Sequence, residues 1–141
     1  MDEKNSIDQL KERLNKDIND IDAALSLGNV YYDMNDAPRS IVYYRRVLDI
    51  NPALPSARTD LGAMYWRNDD IGLAEQAFRD AIASDSGFAQ AYVNLGLLLH
   101  RAKGNVSEAR AVWQQLLDIN PDHALAEKAR ELLQETALLI N

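Results

Sequence analysis

The chain has no cysteine among its 141 residues, which excludes disulfides and thiolate chemistry and leaves the compartment undecided. Basic residues are in deficit: 15 Lys and Arg against 22 Asp and Glu give a net charge of −7. The nearest basic run is Arg45-Arg46, which reads as a solvated helix edge, so a nucleic-acid partner is not expected. No apolar stretch approaches the roughly 18 residues of a membrane span, so a membrane is not expected as a partner either. The N-terminus carries acidic residues and no apolar core segment, so it does not read as a signal peptide, and a cytoplasmic location is expected.

Groups for catalysis are equally scarce. His100 and His123 are the only histidines, they fall on different elements, and no serine has a histidine and an acid at recognisable spacing. Asp17, Asn19, Asp20 and Asp22 lack the glycine and the distal glutamate of a calcium loop and read better as helix capping. Asn105-Val106-Ser107 is formally a glycosylation sequon, but in a turn it reads as a helix N-cap. His123 is expected to play a structural or neutral part in its turn, and Trp66 and Trp113 to be core or seam packing rather than stacking platforms. The chain is thus expected to be no enzyme and to hold no cofactor and no metal.

What is present is a period. Leu27-Gly28, Leu61-Gly62 and Leu95-Gly96 recur at intervals of 61 − 27 = 34 and 95 − 61 = 34 residues. A mid-helix glycine costs about 1 kcal/mol against alanine, so three of them at one spacing require a compensating close approach of a second helix. Three residues after each glycine stand Tyr31, Tyr65 and Leu99, large apolar groups on one helix face. Ser40 and Ala74 follow at a common offset, and Ala109 takes their place after a one-residue insertion around Lys103-Gly104-Asn105; small residues there admit the second helix.

That second helix carries an apolar stripe spaced i, i+3, i+4, i+7, i+8 in each unit: Ser40/Tyr43/Tyr44/Val47/Leu48, Ala74/Ala77/Phe78/Ala81/Ile82 and Ala109/Val112/Trp113/Leu116/Leu117. Stripes of that spacing are amphipathic helices. Asp49-Ile50-Asn51-Pro52 and Asp118-Ile119-Asn120-Pro121 end two of the units with a helix-stopping proline. Asp85-Ser86-Gly87 ends the middle one by turn chemistry. A 34-residue unit built from one helix pair signals a solenoid.

The pattern resembles the tetratricopeptide repeat (TPR) family. The resemblance rests on Leu27, Gly28, Tyr31, Tyr44 and Pro52; on Leu61, Gly62, Tyr65, Ala74, Phe78 and Ala81; and on Tyr92, Leu95, Gly96, Ala109, Trp113 and Pro121. Ala24 and Arg58 depart from it where an aromatic is common, Ser86 where proline is common, and Leu99 where tyrosine is common. It covers residues 21 to 123. It implies an all-α fold, a right-handed superhelix of antiparallel helix pairs with a concave groove for a peptide or helix.

The expected organisation is a single domain: a capping helix in 6–20, repeats at 21–54, 55–88 and 89–123, and a second cap in 124–141. Helices are expected at 6–17, 21–34, 37–50, 55–68, 71–84, 88–102, 105–118 and 122–139. The first five residues read as frayed. Ser6, Ile7, Leu10 and Leu14 repeat the register of Ser40, Ile41, Tyr44 and Leu48, with Ser6 and Gln9 as a capping box. At the other end Leu125, Ala129, Leu132, Leu133, Thr136, Leu139 and Ile140 form one stripe, the one-sided helix that shields a last repeat.

By the resemblance, the groove is lined by the first helix of each pair. It comprises Asp22, Leu25, Ser26, Asn29 and Asp33; Ser56, Thr59, Asp60, Ala63 and Arg67; and Gln90, Val93, Asn94, Leu97 and Arg101. Asn29 and Asn94 offer a donor and an acceptor to a peptide backbone. Family members that clamp the acidic C-termini of chaperones use Lys, Asn and Arg at the places held here by Leu25, Asn29, Asp60, Gln90 and Asn94. Only Asn29 fits, and Asp60 repels such a ligand. The leading expectation is a scaffold binding an unidentified protein or peptide. Leu138, Leu139 and Ile140, beyond the capping stripe, suggest a weak homodimer as an alternative. A third reading is a bacterial maturation factor, since residues 111–117 look like the final repeat of TPR subunits in cytochrome c assembly.

Overall fold

The computed structural model describes residues 3–139, with side chains from Ser6 onward. These residues form eight α-helices and no strand: α1 (Glu3–Lys16), α2 (Ile21–Asp33), α3 (Ala37–Ile50), α4 (Pro55–Arg67), α5 (Ile71–Ser84), α6 (Ala89–Arg101), α7 (Val106–Ile119) and α8 (Ala126–Glu135), then a 3-10 turn (Ala137–Leu139). None of the helices is long and apolar enough to cross a membrane. Each helix packs on the next in sequence, and α4 also touches α6, as α6 touches α8. The contacts α4–α6 and α6–α8 thus run along the first helices of successive pairs and the C-terminal helix.

The six repeat helices begin and end within a residue of the places their stripes predict, because local chemistry stops them there. Asn35 (φ 59°), Asp69 (φ 62°) and Gly104 (φ 66°) take the left-handed conformation in the turn inside each pair, a conformation Asn, Asp and Gly tolerate best. Asp36 then caps α3 by accepting from the Arg39 N–H at 3.2 Å, and Asn105 caps α7 through the Glu108 N–H at 3.2 Å, each satisfying a donor the helix leaves open. Asp70 holds the equivalent place before α5 without a side-chain cap and accepts instead from Asn68 Nδ2 at 2.9 Å.

The glycines meet aromatic rings rather than backbone. A Cβ at Gly28 would stand 2.6 Å from Tyr44 Cδ1, one at Gly62 would stand 2.5 Å from Phe78 Cε1, and one at Gly96 would overlap the Trp113 indole. Tyr44, Phe78 and Trp113 are all fully buried. Ser40, Ala74 and Ala109 are buried at the same crossings, and the Ser40 hydroxyl donates to the Gly28 carbonyl at 2.8 Å.

Both ends differ from expectation. Helix α1 starts at Glu3, so Glu3 to Asn5 are helical rather than frayed, and Ser6 lies inside the helix instead of capping it. Ile7 and Leu14 bury against Ala23, Ala24, Leu27 and Tyr31, which sets α1 on α2 much as α3 sits on α4. At the other end α8 begins at Ala126, not 122, because His123 folds the preceding residues into a turn: its Nδ1 accepts from the Leu125 N–H at 3.0 Å. Helix α8 stops at Glu135, where Thr136 Oγ1 bonds back to the Leu132 carbonyl at 2.7 Å and Arg110 reaches across from α7 to Leu133 O and Thr136 Oγ1. Ala126, Ala129 and Leu132 are buried there, but Leu139 is exposed rather than part of the stripe. Ile140 lies outside the described residues.

The ring-over-glycine contact has a measurable consequence. Gly62→Leu is expected to destabilise the fold by about 1–3 kcal/mol through overpacking against Phe78, although leucine is the better helix former. Urea denaturation of the variant and the parent checks this; increased stability would contradict the crossing.

Candidate functional site

The first helices α2, α4 and α6 present a concave face on which two neighbouring pockets share Tyr32. One, of about 340 Å³, is lined by Asn29, Tyr32, Asp33, Tyr44 and Asp60. The other, of about 410 Å³, is lined by Tyr32, Ala63, Trp66, Arg67, Phe78 and Asn94. Six of the expected groove residues are therefore gathered here: Asn29, Asp33, Asp60, Ala63, Arg67 and Asn94. Asp22, Ser56, Gln90 and Arg101 are exposed, and Ser26 is half-buried, without lining either pocket.

Two expected contacts are buried in the core instead, and two more are half-buried against it. Thr59 (2 % exposed) and Val93 (3 % exposed) are buried. The Thr59 hydroxyl donates to the Pro55 carbonyl of its own helix at 2.7 Å, and the Val93 carbonyl accepts from Trp113 Nε1 at 3.3 Å. Leu25, 34 residues before Thr59, is half-buried between two core clusters, and Leu97 packs against the third. Leu25, Thr59 and Val93 share one register position, which faces the seam with neighbouring helices rather than the groove.

The apolar surface of the groove comes from Tyr32 and Trp66, residues the sequence reading left out of it. Trp66 does pack on the core, as expected, but it also lines the second pocket. A signal existed: Tyr32, Trp66 and His100 recur every 34 residues. Each precedes the ring that covers a glycine, and two of the pairs stack edge-on, Tyr32 with Tyr44 and His100 with Trp113, at centroid separations of 6.5 Å each.

The polar groups are already partly committed. Tyr44 donates its hydroxyl to Asn29 Oδ1 at 2.6 Å, and Gln90 Nε2 donates to Asn94 Oδ1 at 2.7 Å. Both asparagines thus keep their two N–H groups and one oxygen lone pair for a partner. Arg67 crosses to the preceding unit, where its guanidinium lies 4.8 Å from the Tyr32 ring centroid and donates to Asn35 Oδ1 at 3.1 Å. Burial pushes the Asp60 carboxyl up to about 6. The Tyr44 hydroxyl is raised as well, by burial first and by the nearby Asp60 charge second.

A layered stack of helix pairs with a ring seated on each repeat glycine, and a concave face made by the first helices, defines a TPR solenoid. Residues 13–140 match the family model described as the Cilia and flagella-associated protein 70 middle TPR-like domain, and the chain belongs to this TPR family. It is 30 % identical over 109 residues to the type IV pilus assembly protein PilF of Pseudomonas aeruginosa, covering 77 % of this chain and 42 % of PilF. The chain likewise spans well under half the length of the other curated relatives it matches. Among solved structures, MamA aligns with a TM-score of 0.78 at 24 % identity, over 94 % of this chain and 77 % of MamA. The TPR2B domain of yeast Sti1, in a complex with pHsp70, aligns with a TM-score of 0.75 at 16 % identity, over 85 % of this chain and 98 % of that domain. At these identities the structural matches speak for the fold.

The environment of Asp60 sets a pH dependence. A carboxyl whose folded-state pKa is raised destabilises the fold above that pKa, and the penalty disappears below its unfolded value. Its contribution therefore falls from pH 4 towards pH 6 and stays low above. Asp60→Asn is expected to flatten this component and to equal or exceed the parent in stability at pH 7. Denaturation of both proteins at pH 4.5 and 7 checks it, the variant cancelling the other carboxylates.

Proposed function

We propose that the chain is a non-catalytic protein-interaction module that holds a segment of a partner protein in the concave groove of α2, α4 and α6. The observation carrying this reading is the pair of adjoining pockets around Tyr32, where ring faces, amide donors and carboxylates converge on one open face. Concave, largely preformed clefts that combine apolar walls with a few placed polar groups are the usual form of a recognition site. The net charge of −7 and the two groove carboxylates disfavour polyanions, and the cytoplasm is the location proposed with this reading. In line with it, one structural neighbour is described as the first TPR of Spaghetti (RPAP3) bound to an HSP90 peptide. The similarity of residues 111–117 to cytochrome c assembly subunits carries no pathway, since Val112, Trp113 and Leu116 within it are buried core residues.

A second reading, self-association, is favoured by the C-terminal turn, where Leu138 is 93 % and Leu139 58 % exposed. Sedimentation over a range of concentrations checks it, with Leu138→Glu expected to abolish any dimer.

The groove itself is tested by selecting dodecapeptides from a random display library and measuring their affinity for variants. A backbone-directed hydrogen bond contributes about 0.5–1.5 kcal/mol net, so Asn94→Ala is expected to weaken selected peptides about two- to tenfold from a micromolar Kd, without loss of helical signal. Trp66→Ala is expected to weaken them at least as much. Arg45→Glu, an exposed change on α3, should leave binding intact. Arg79 would be a poor control, because it bridges Glu75 at 2.9 Å and Glu108 at 2.7 Å. Binding lost with Arg45→Glu and kept with Asn94→Ala would place the site elsewhere.

A further inference from the structure

Resting on the groove reading, we infer that the partner segment is extended and carries a lysine or arginine, which enters the pocket beside Asp33 and Asp60. A bulky apolar side chain follows into the Trp66 pocket.

The first support is an imbalance among the acids. Six other carboxylates are half-buried in the described residues, and each accepts a hydrogen bond from the protein. Asp20 is served by Arg13, Asp36 by Arg39, Asp70 by Asn68, Glu75 by Lys103, Asp80 by Gln76 and Glu108 by Arg79. Asp60, equally half-buried, accepts none from the described residues, and neither does its exposed neighbour Asp33. The nearest cation of the groove, Arg67, is held by the Tyr32 ring and Asn35. A carboxylate withdrawn from water without a counter-charge is a cost, and a partner's ammonium or guanidinium removes it. The raised pKa of Asp60 records the same deficit.

The second support is the state of the two asparagines. Tyr44 and Gln90 each donate to one of their oxygens, while the amide N–H groups of both bond to none of the described residues and stay open to the groove. Donors on this face suit the carbonyls of an extended backbone. The same geometry with Asp33 and Asp60 repels an acidic peptide or a free C-terminal carboxylate. Ala63, Trp66, Phe78 and Tyr32 wall the adjoining pocket of about 410 Å³, where a large apolar group is desolvated on entry.

The test uses the whole chain and fluorescein-labelled nonapeptides of Gly and Ser that carry one Lys and one Phe, one to three residues apart, read by anisotropy. At least one spacing is expected to bind with a Kd on the order of micromolar. Replacing Lys by norleucine should weaken it about tenfold, and replacing it by Glu should weaken it further. Asp60→Asn should make the Lys and norleucine peptides bind alike, while Asp49→Asn, an exposed change on α3, should alter nothing.

The parent's affinity for the Lys peptide should rise from pH 5 to pH 7 as Asp60 ionises, and that of Asp60→Asn should stay flat. The other titratable groups lining the Asp60 pocket are Tyr32 and Asp33 of α2 and Tyr44 of α3; the adjoining pocket adds Arg67 of α4 and the neutral Asn94 of α6. Glu peptides that bind as well as Lys peptides and still weaken with Asn94→Ala would overturn the cation slot and leave the groove standing. Lys peptides unaffected by Asp60→Asn, Asn94→Ala and Trp66→Ala would overturn both. No binding at any spacing up to about 1 mM would overturn the slot, the groove then being judged by the displayed peptides alone.

Discussion

The contact on which the structure depends is an aromatic ring seated on a glycine. Tyr44 on Gly28, Phe78 on Gly62 and Trp113 on Gly96 set the distance between the two helices of each pair, since a single added carbon would collide with the ring. The rings do more than fill space. The Tyr44 hydroxyl emerges on the concave face to hold Asn29, and the Trp113 N–H ties to the Val93 carbonyl of the paired helix. The contact that closes each pair thereby also shapes the face the pair presents.

Between repeats the structure relies on smaller contacts that vary from unit to unit. Arg58 stands where an aromatic is common and joins the Pro52 carbonyl to Asp80. Glu75 of α5 links Arg79 to Lys103 in the turn before α7, and Arg79 continues to Glu108. These pairs are partly solvated, where an ion pair contributes little. Their value lies in orienting successive pairs, while apolar burial supplies most of the stability.

Much of this was legible in the chain. The Leu-Gly period and the stripes located six helices closely, because proline, Asp and Asn stop signals act through the local backbone. The ends were less legible. A turn at His123 was expected, but not that its bond to the Leu125 N–H would delay the start of α8, and Arg110, which closes that helix, comes from a different element. In the groove, Thr59 and Val93 looked like the exposed side of a first helix. A helix in a solenoid, however, is flanked by its own partner and by the first helices of both neighbours, and that seam takes Thr59 and Val93 out of reach.

What the sequence alone determined is the repeat: its length, its helix pairs and the crossing at each glycine, since these follow from side-chain size and period within about 34 residues of chain. Which half-buried carboxylate accepts no hydrogen bond from the described residues was decided only by the tertiary structure. Asp33, Asp60 and Arg67 looked equally available along the chain. Folding turned Arg67 back onto Tyr32 and Asn35 and half-buried Asp60. Burial and charge pairing depend on which elements meet in space, and no period in the sequence carries that.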